Sequence, residues 1–115
     1  MSDLVTNFDL SEEQEMIRDT VRQFAREVIA PGAAHADEHK ELNEAAWDGM
    51  VELCLPGLPF SEEWGGAGFD NLSYSIAVEE ISRVCGSMGL TLAAHVSLGT
   101  WPIYAFGSQA LKERY

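Results

Sequence analysis

Basic residues are scarce in this sequence. Seven Lys and Arg stand against nineteen Asp and Glu, a formal net charge of −12 over 115 residues. A surface this acidic repels phosphate, which argues against nucleic acid as a partner and disfavours anionic membrane surfaces. Cysteine is scarcer still. Cys54 and Cys85 lie in apolar helical contexts without metal-ligand spacing. Two buried reduced thiols are the expectation, and with them a cytoplasmic location. The opening MSDLVTNFDL has no basic n-region, no apolar h-region and no transit-peptide arginines, so no leader is expected. Repeats, low-complexity tracts and strand-like alternation are also missing. The longest nearly uncharged run, residues 86–107, has the length of a membrane span. Its glycines, Pro102, His95 and scattered Ser and Thr argue against one.

What is present is helical periodicity. Ser11 and Gln14 read as a capping box, and Glu12 and Glu13 suit the positive end of a helix dipole. Ile17, Val21, Phe24 and Val28 follow as one apolar stripe, and Pro31-Gly32 is expected to interrupt or end that helix. A polar connector or short helix spans 33–41. Asn43 then caps a helix to Cys54 whose inner face is Ala46, Trp47, Met50, Val51 and Cys54, with Gly49 as a weak point. Residues 58–70 read as an ordered glycine loop anchored by Trp64 and Phe69. Asp70 caps a central helix, 71–84, bearing Leu72, Ile76, Ala77, Ile81 and Val84. The uncharged run is expected as two short buried helices, 87–98 and 100–106. Ser108 caps a last helix that stops in mid-pattern at Tyr115, as a truncation would leave it. The fold class is all-α, an orthogonal or bundle-like domain of five to six helices.

Three clusters invite a chemical reading, and each has a plainer one. His35 and His39 share the i,i+4 spacing of a metal pair, but no Cys or further His lies nearby to complete a site, so a solvated face is expected. The glycines of GGAG lack the dinucleotide fingerprint and follow two glutamates that would repel a phosphate. Glu79 and Glu80 project about 100° apart on their helix and cannot work as a carboxylate pair from one face. An exposed or ion-paired position, with Arg83 for instance, is the expected state.

Read in order, Phe8-Asp9-Leu10-Ser11-Glu12-Glu13-Gln14, Ser61-Glu62-Glu63-Trp64-Gly65-Gly66-Ala67-Gly68, Val78-Glu79-Glu80-Ile81-Ser82-Arg83-Val84 and His95-x-Ser97-Leu98-Gly99 with Pro102-Ile103, Phe106-Gly107-Ser108, Lys112 and Tyr115 resemble the amino-terminal domain of acyl-CoA dehydrogenases. Ser61 and Trp64 stand where that family writes Pro and Tyr. The resemblance implies one domain, 1–115, with a middle β-barrel and a carboxy-terminal helical domain outside it. It implies an FAD enzyme that removes the α and β hydrogens of an acyl-CoA and passes electrons to an electron-transferring flavoprotein or similar acceptor. A homo-oligomer and contacts with the remaining domains or subunits are implied as well. The family's catalytic glutamate belongs to the last domain, so no catalytic residue is expected here, and FAD is not expected to be held by this chain alone.

What carries over is a wall of the acyl pocket, at Leu90, Thr91, Ala94 and Leu98, with His95 at its margin. The spacing of 91, 94, 95 and 98 puts those four on one helical stripe. The glutaryl-specific branch carries a cation early in this helix, at the position of Gly89, and no Lys or Arg occurs here between Arg83 and Lys112. A buried distal carboxylate would therefore be unpaired, at a cost of several kcal/mol. Three functions compete: part of an acyl-CoA dehydrogenase, part of an acyl-CoA oxidase or flavin monooxygenase, or a stand-alone helical interaction module.

Overall fold

The computed structural model describes residues 8–115; residues 1–7, which carry most of the segment read above as free of a leader, lie outside the described residues. Those residues form five helical rods and no strand, in keeping with the all-α expectation. The first rod, residues 12–39, joins α1 (Glu12–Phe24) to α2 (Ala30–His39) through a widened π turn, Ala25–Ile29. The capping box forms as read: the Ser11 hydroxyl accepts the Gln14 N–H at 3.2 Å, and Gln14 Oε1 accepts the Ser11 N–H at 2.9 Å.

The π turn corrects the predicted stripe. Buried positions run Ile17, Val21, Ala25 and Ile29, four apart throughout, while Val28 is 38% exposed and Ile29 0%. An i→i+5 turn carries one extra residue, so the inward position slips by one from Val28 to Ile29. Pro31-Gly32 does not end the helix, which runs on to His39 and stops at Lys40, left-handed at φ 53°. A proline normally breaks a helix because it lacks an N–H and its ring strikes the carbonyl four residues back. Here Ala30, just before it, already bonds to Ala25 O, five residues back. The same arrangement recurs at the π turn His95–Thr100, where Trp101 bonds to Val96 O and Pro102 follows. Each widened turn thus ends two residues before a proline.

Asn43 caps α3 (Glu44–Glu52), its side chain accepting the Ala46 N–H at 3.1 Å. Ala46 and Met50 are buried and Trp47 half-buried, but Val51 is exposed, against expectation: it lies on the flank of a helix shorter than predicted. Gly49 has a packing reason. A Cβ there would lie 2.4 Å from Phe24 Cε2. Cys54, at φ 58°, turns the chain into a short 3₁₀ turn, Leu55–Gly57. The glycine loop is then clasped to that turn by backbone bonds: Gly66 to Ser61 O at 3.0 Å, Ala67 to Gly57 O at 3.0 Å, Gly68 to Phe60 O at 2.8 Å and Phe69 to Leu58 O at 3.0 Å. Gly66 is required by close approach, since a Cβ would sit 2.2 Å from Phe60 O.

Asp70 starts α4 (Asn71–Val84) by accepting the Ser73 N–H at 2.8 Å and receives Gln14 Nε2 at 3.0 Å, which ties the starts of α1 and α4 together. The central position expected for α4 is observed, between α1 and α5 (Gly86–Ala94). Ile76, Ala77 and Ile81 are buried; Leu72, in the first turn, is exposed. The run 86–106 is one rod, α5 continuing through the second π turn into α6 (Trp101–Phe106), not two helices. It is also buried on one side only. Ser108 caps α7 (Gln109–Arg114), accepting the Leu111 N–H at 3.2 Å. The fully buried side chains Val21, Ile29, Met50, Leu55, Leu58, Ile81 and Leu92 join all the long elements in one core.

Candidate functional site

The α5 rod divides sharply into two faces. Met88, Leu92 and Val96 are buried against the core, while Leu90 is 70% exposed and Leu98 77%. Thr91 and Ala94 are half-buried between those limits, and His95 is exposed. Exposed leucines flanking small residues make an open apolar strip. Gly89 belongs to the other face. It is buried, and a Cβ there would lie 1.9 Å from Ser82 Oγ and 3.0 Å from Ser82 Cα on α4. Position 89 is closed by packing, so its neutrality reflects helix contact; the neutrality of the open strip rests on Leu90, Thr91, Ala94 and Leu98 themselves.

Of the five predicted residues, His95 lines a cleft. Its ring meets Trp47 edge-on with centroids 5.4 Å apart. On its other side opens a cleft of about 480 Å³ bounded by Phe60, Trp64, Thr100, Tyr104 and Lys112. The Lys112 ammonium lies 5.8 Å from the Trp64 ring and 5.9 Å from the Tyr104 ring, within reach of both π faces. A larger cleft of about 670 Å³ lies at the junction of α4 and α5, beside Cys85 and the end of α2, and none of the five residues lines it. The sequence offered no sign of the Lys112 cleft, because its walls come from the glycine loop, the second π turn, α6 and α7.

The titratable groups hold structure together. Glu80 is buried, and its carboxylate accepts from Arg22 Nη2 at 2.8 Å, Arg22 Nε at 3.1 Å and Arg83 Nη1 at 3.3 Å. Hydrogen bonding from Arg22 is the main cause that holds the Glu80 carboxyl below the usual carboxylate range. The sequence suggested Arg83 as the partner; Arg22, the stronger one, sits on another helix. Asp70 is likewise held low, by hydrogen bonds from Ser73. Burial pushes the Tyr74 phenol up, and its hydroxyl donates to Ala93 O at 3.4 Å. Among the described residues no three Cys, His, Asp or Glu side chains are placed to hold a metal. His35 stacks on His39 with ring centroids 4.0 Å apart and lies 3.1 Å from Glu41, all at the surface.

The glycine loop spends its amides on its own backbone. The amides of Gly65 and Gly66 already donate to Glu62 O and Ser61 O, each at 3.0 Å, and Glu62 lies under Gly68. No helix among the described residues is long and apolar enough to cross a membrane.

Comparison with known proteins identifies the family. The family acyl-CoA dehydrogenase, N-terminal domain, matches residues 11–115. The chain is 48% identical over 109 residues to the probable acyl-CoA dehydrogenase YngJ of Bacillus subtilis and 44% identical to the short-chain specific acyl-CoA dehydrogenase of Clostridium acetobutylicum. Each alignment covers 95% of this chain and 29% of the relative. It superposes with a TM-score of 0.85 on an acyl-CoA dehydrogenase from Bacillus anthracis solved in complex with FAD, at 32% identity, over 96% of this chain and 19% of that one. The chain thus spans under a third of the curated relatives it matches. With its helical order, its capped starts and its half-exposed α5 rod in place, the chain belongs to the acyl-CoA dehydrogenase family, as an N-terminal domain.

Proposed function

We propose that this domain supplies one wall of the acyl-chain site in an FAD-dependent enzyme that dehydrogenates a short, monocarboxylic acyl-CoA between its α and β carbons. The observation that carries the proposal is the two-faced α5 rod: Met88, Leu92 and Val96 fix it to α4 and the core, and Leu90, Thr91, Ala94 and Leu98 are left facing outward as an uncharged strip. Apolar side chains held on a rigid helix suit a ligand tail that makes no directional contacts. The missing charge disfavours a second carboxylate on the substrate, and the C. acetobutylicum relative, which is short-chain specific by name, supports a short tail.

The amides of the glycine loop are already bonded within the chain, which supports a flavin and a catalytic base carried by a middle β-barrel and a carboxy-terminal helical domain of the intact protein. An electron-transferring flavoprotein or comparable acceptor, a homo-oligomeric assembly and a cytoplasmic location complete the proposal. The free thiols of Cys54 and Cys85 suit such a reducing compartment. Ala94→Trp in the intact enzyme tests the wall. It should lower kcat/KM for octanoyl-CoA roughly tenfold more than for butyryl-CoA, the size of effect a few methylenes of pocket space can give. An equal loss on both substrates would sink the assignment.

A further inference from the structure

The strip does not stay in an ordinary helix. His95 and Leu98 sit inside the π turn His95–Thr100, and at its entrance the Ala93 carbonyl accepts two side-chain hydroxyls. Ser97 Oγ donates to Ala93 O at 2.7 Å from one turn ahead, and Tyr74 Oη donates to the same oxygen at 3.4 Å from α4. A carbonyl oxygen has two lone pairs. A serine bonding back to the residue four before it competes with the backbone ladder and bends the helix that carries it. Insertion of a side chain into the ladder is a recognised cause of local helix distortion. Just beyond this contact the ladder changes pitch, and the Trp101 N–H reaches Val96 O, five residues back. Val96 itself is buried and pins the inner side of the turn, so the widening falls on the outer side, at Leu98 and Gly99. A Cβ on Gly99 would meet nothing within 4 Å, so the turn has open space at that position.

We propose that the Tyr74–Ala93–Ser97 contact is a positioning device for the acyl site: it holds the widened turn open and so fixes how far Leu98 projects, which sets the length of acyl chain admitted. This rests on the wall reading above. Tyr74 and Ser97 are not themselves strip residues; they act through the Ala93 carbonyl and the turn behind it. Releasing both hydroxyls frees the outer side of the turn, so Leu98 retreats more readily and longer chains gain.

The test is made on the intact flavoenzyme. The double variant Tyr74→Phe, Ser97→Ala, which keeps the ring and the small side chain, is compared with wild type for kcat/KM on octanoyl-CoA against butyryl-CoA. The octanoyl-to-butyryl ratio should rise about fivefold, and Ser97→Thr, which keeps a hydroxyl, should hold the wild-type ratio. Thermal unfolding and bound flavin absorbance establish that the variants are folded, and a purely structural role would lower activity on both substrates together. A rise of less than twofold, or a Ser97→Thr ratio that departs from wild type as far as the double variant does, overturns the proposal. Ala94→Trp, run alongside, separates the two claims: if it discriminates by chain length and the double variant does not, the wall stands and the positioning role falls. If Ala94→Trp fails to discriminate, the wall reading itself falls.

Discussion

Arg22 and Glu80, 58 positions apart in sequence, meet in a two-point ion pair, Nη2 to Oε1 at 2.8 Å and Nε to Oε2 at 3.1 Å. The Glu80 side chain is 5% exposed. Burying a carboxylate is costly without a partner, and a guanidinium fork meets both oxygens at once. The pair fastens α1 to α4, the contact on which the rest of the domain is laid.

A pH dependence follows from that pair. Arg22 holds the folded-state pKa of Glu80 below its ordinary 4.5, so the ionised carboxylate stabilises the fold above that value. The contribution is lost as pH falls below 4.5 through the folded-state value. Glu80→Gln should therefore lower the thermal midpoint at pH 7, and the gap from wild type should close in more acidic buffer. A gap of unchanged size at pH 3 would show that the charge is not the source.

The closed face of α5 gives a second expectation. Gly89→Ala forces a methyl against Ser82 and should cost about 1–3 kcal/mol by denaturant unfolding, the usual range for overpacking. Ser82→Ala removes the Oγ atom that the new methyl strikes first. The double variant should recover part of the loss, and strict additivity of the two changes would contradict the contact.

Glycines also separate by surroundings. Gly66→Ala drives a Cβ into the Phe60 carbonyl, a backbone atom that cannot step aside, whereas Gly86, in the first turn of α5, has nothing within 4 Å. Gly66→Ala should destabilise by more than about 2 kcal/mol and Gly86→Ala should be neutral or stabilising by up to ~1 kcal/mol. Urea midpoints for the two variants check this directly.

The first π turn can be tested by register. Ile29→Ala should cost about 2–5 kcal/mol. Val28→Ala, on the exposed side of the slip, should cost about 0.5 kcal/mol or less. An unbroken α-helix would place Val28 on the inner stripe and reverse that order.

The sequence announced its capped helix starts because Ser11, Asn43, Asp70 and Ser108 each act on an amide three residues away. Such local bonds are legible in one dimension. The π turns were not, since periodicity arguments assume a constant pitch, and one extra residue moved Ile29 inward and Val28 outward. Pro31 is a stop signal in isolation and became compatible with the helix only through the wider turn before it. The strip on α5 was found by family resemblance and helical spacing. That Gly89 faces Ser82, and that His95 leans on Trp47, depended on which helix lies behind and beside α5, which no local pattern records.

The clasp between the glycine loop and the turn before it bears on motion as well as shape. Four consecutive amides, from Gly66 to Phe69, are bonded to carbonyls of residues 57–61, as completely as in a helix. Amides in such a lattice exchange with solvent only when the segment opens as a unit. This stretch, irregular in outline, is therefore kinetically part of the rigid body: its hydrogens should exchange on the timescale of the helices around it, leaving a stationary floor beneath Trp64 and Lys112.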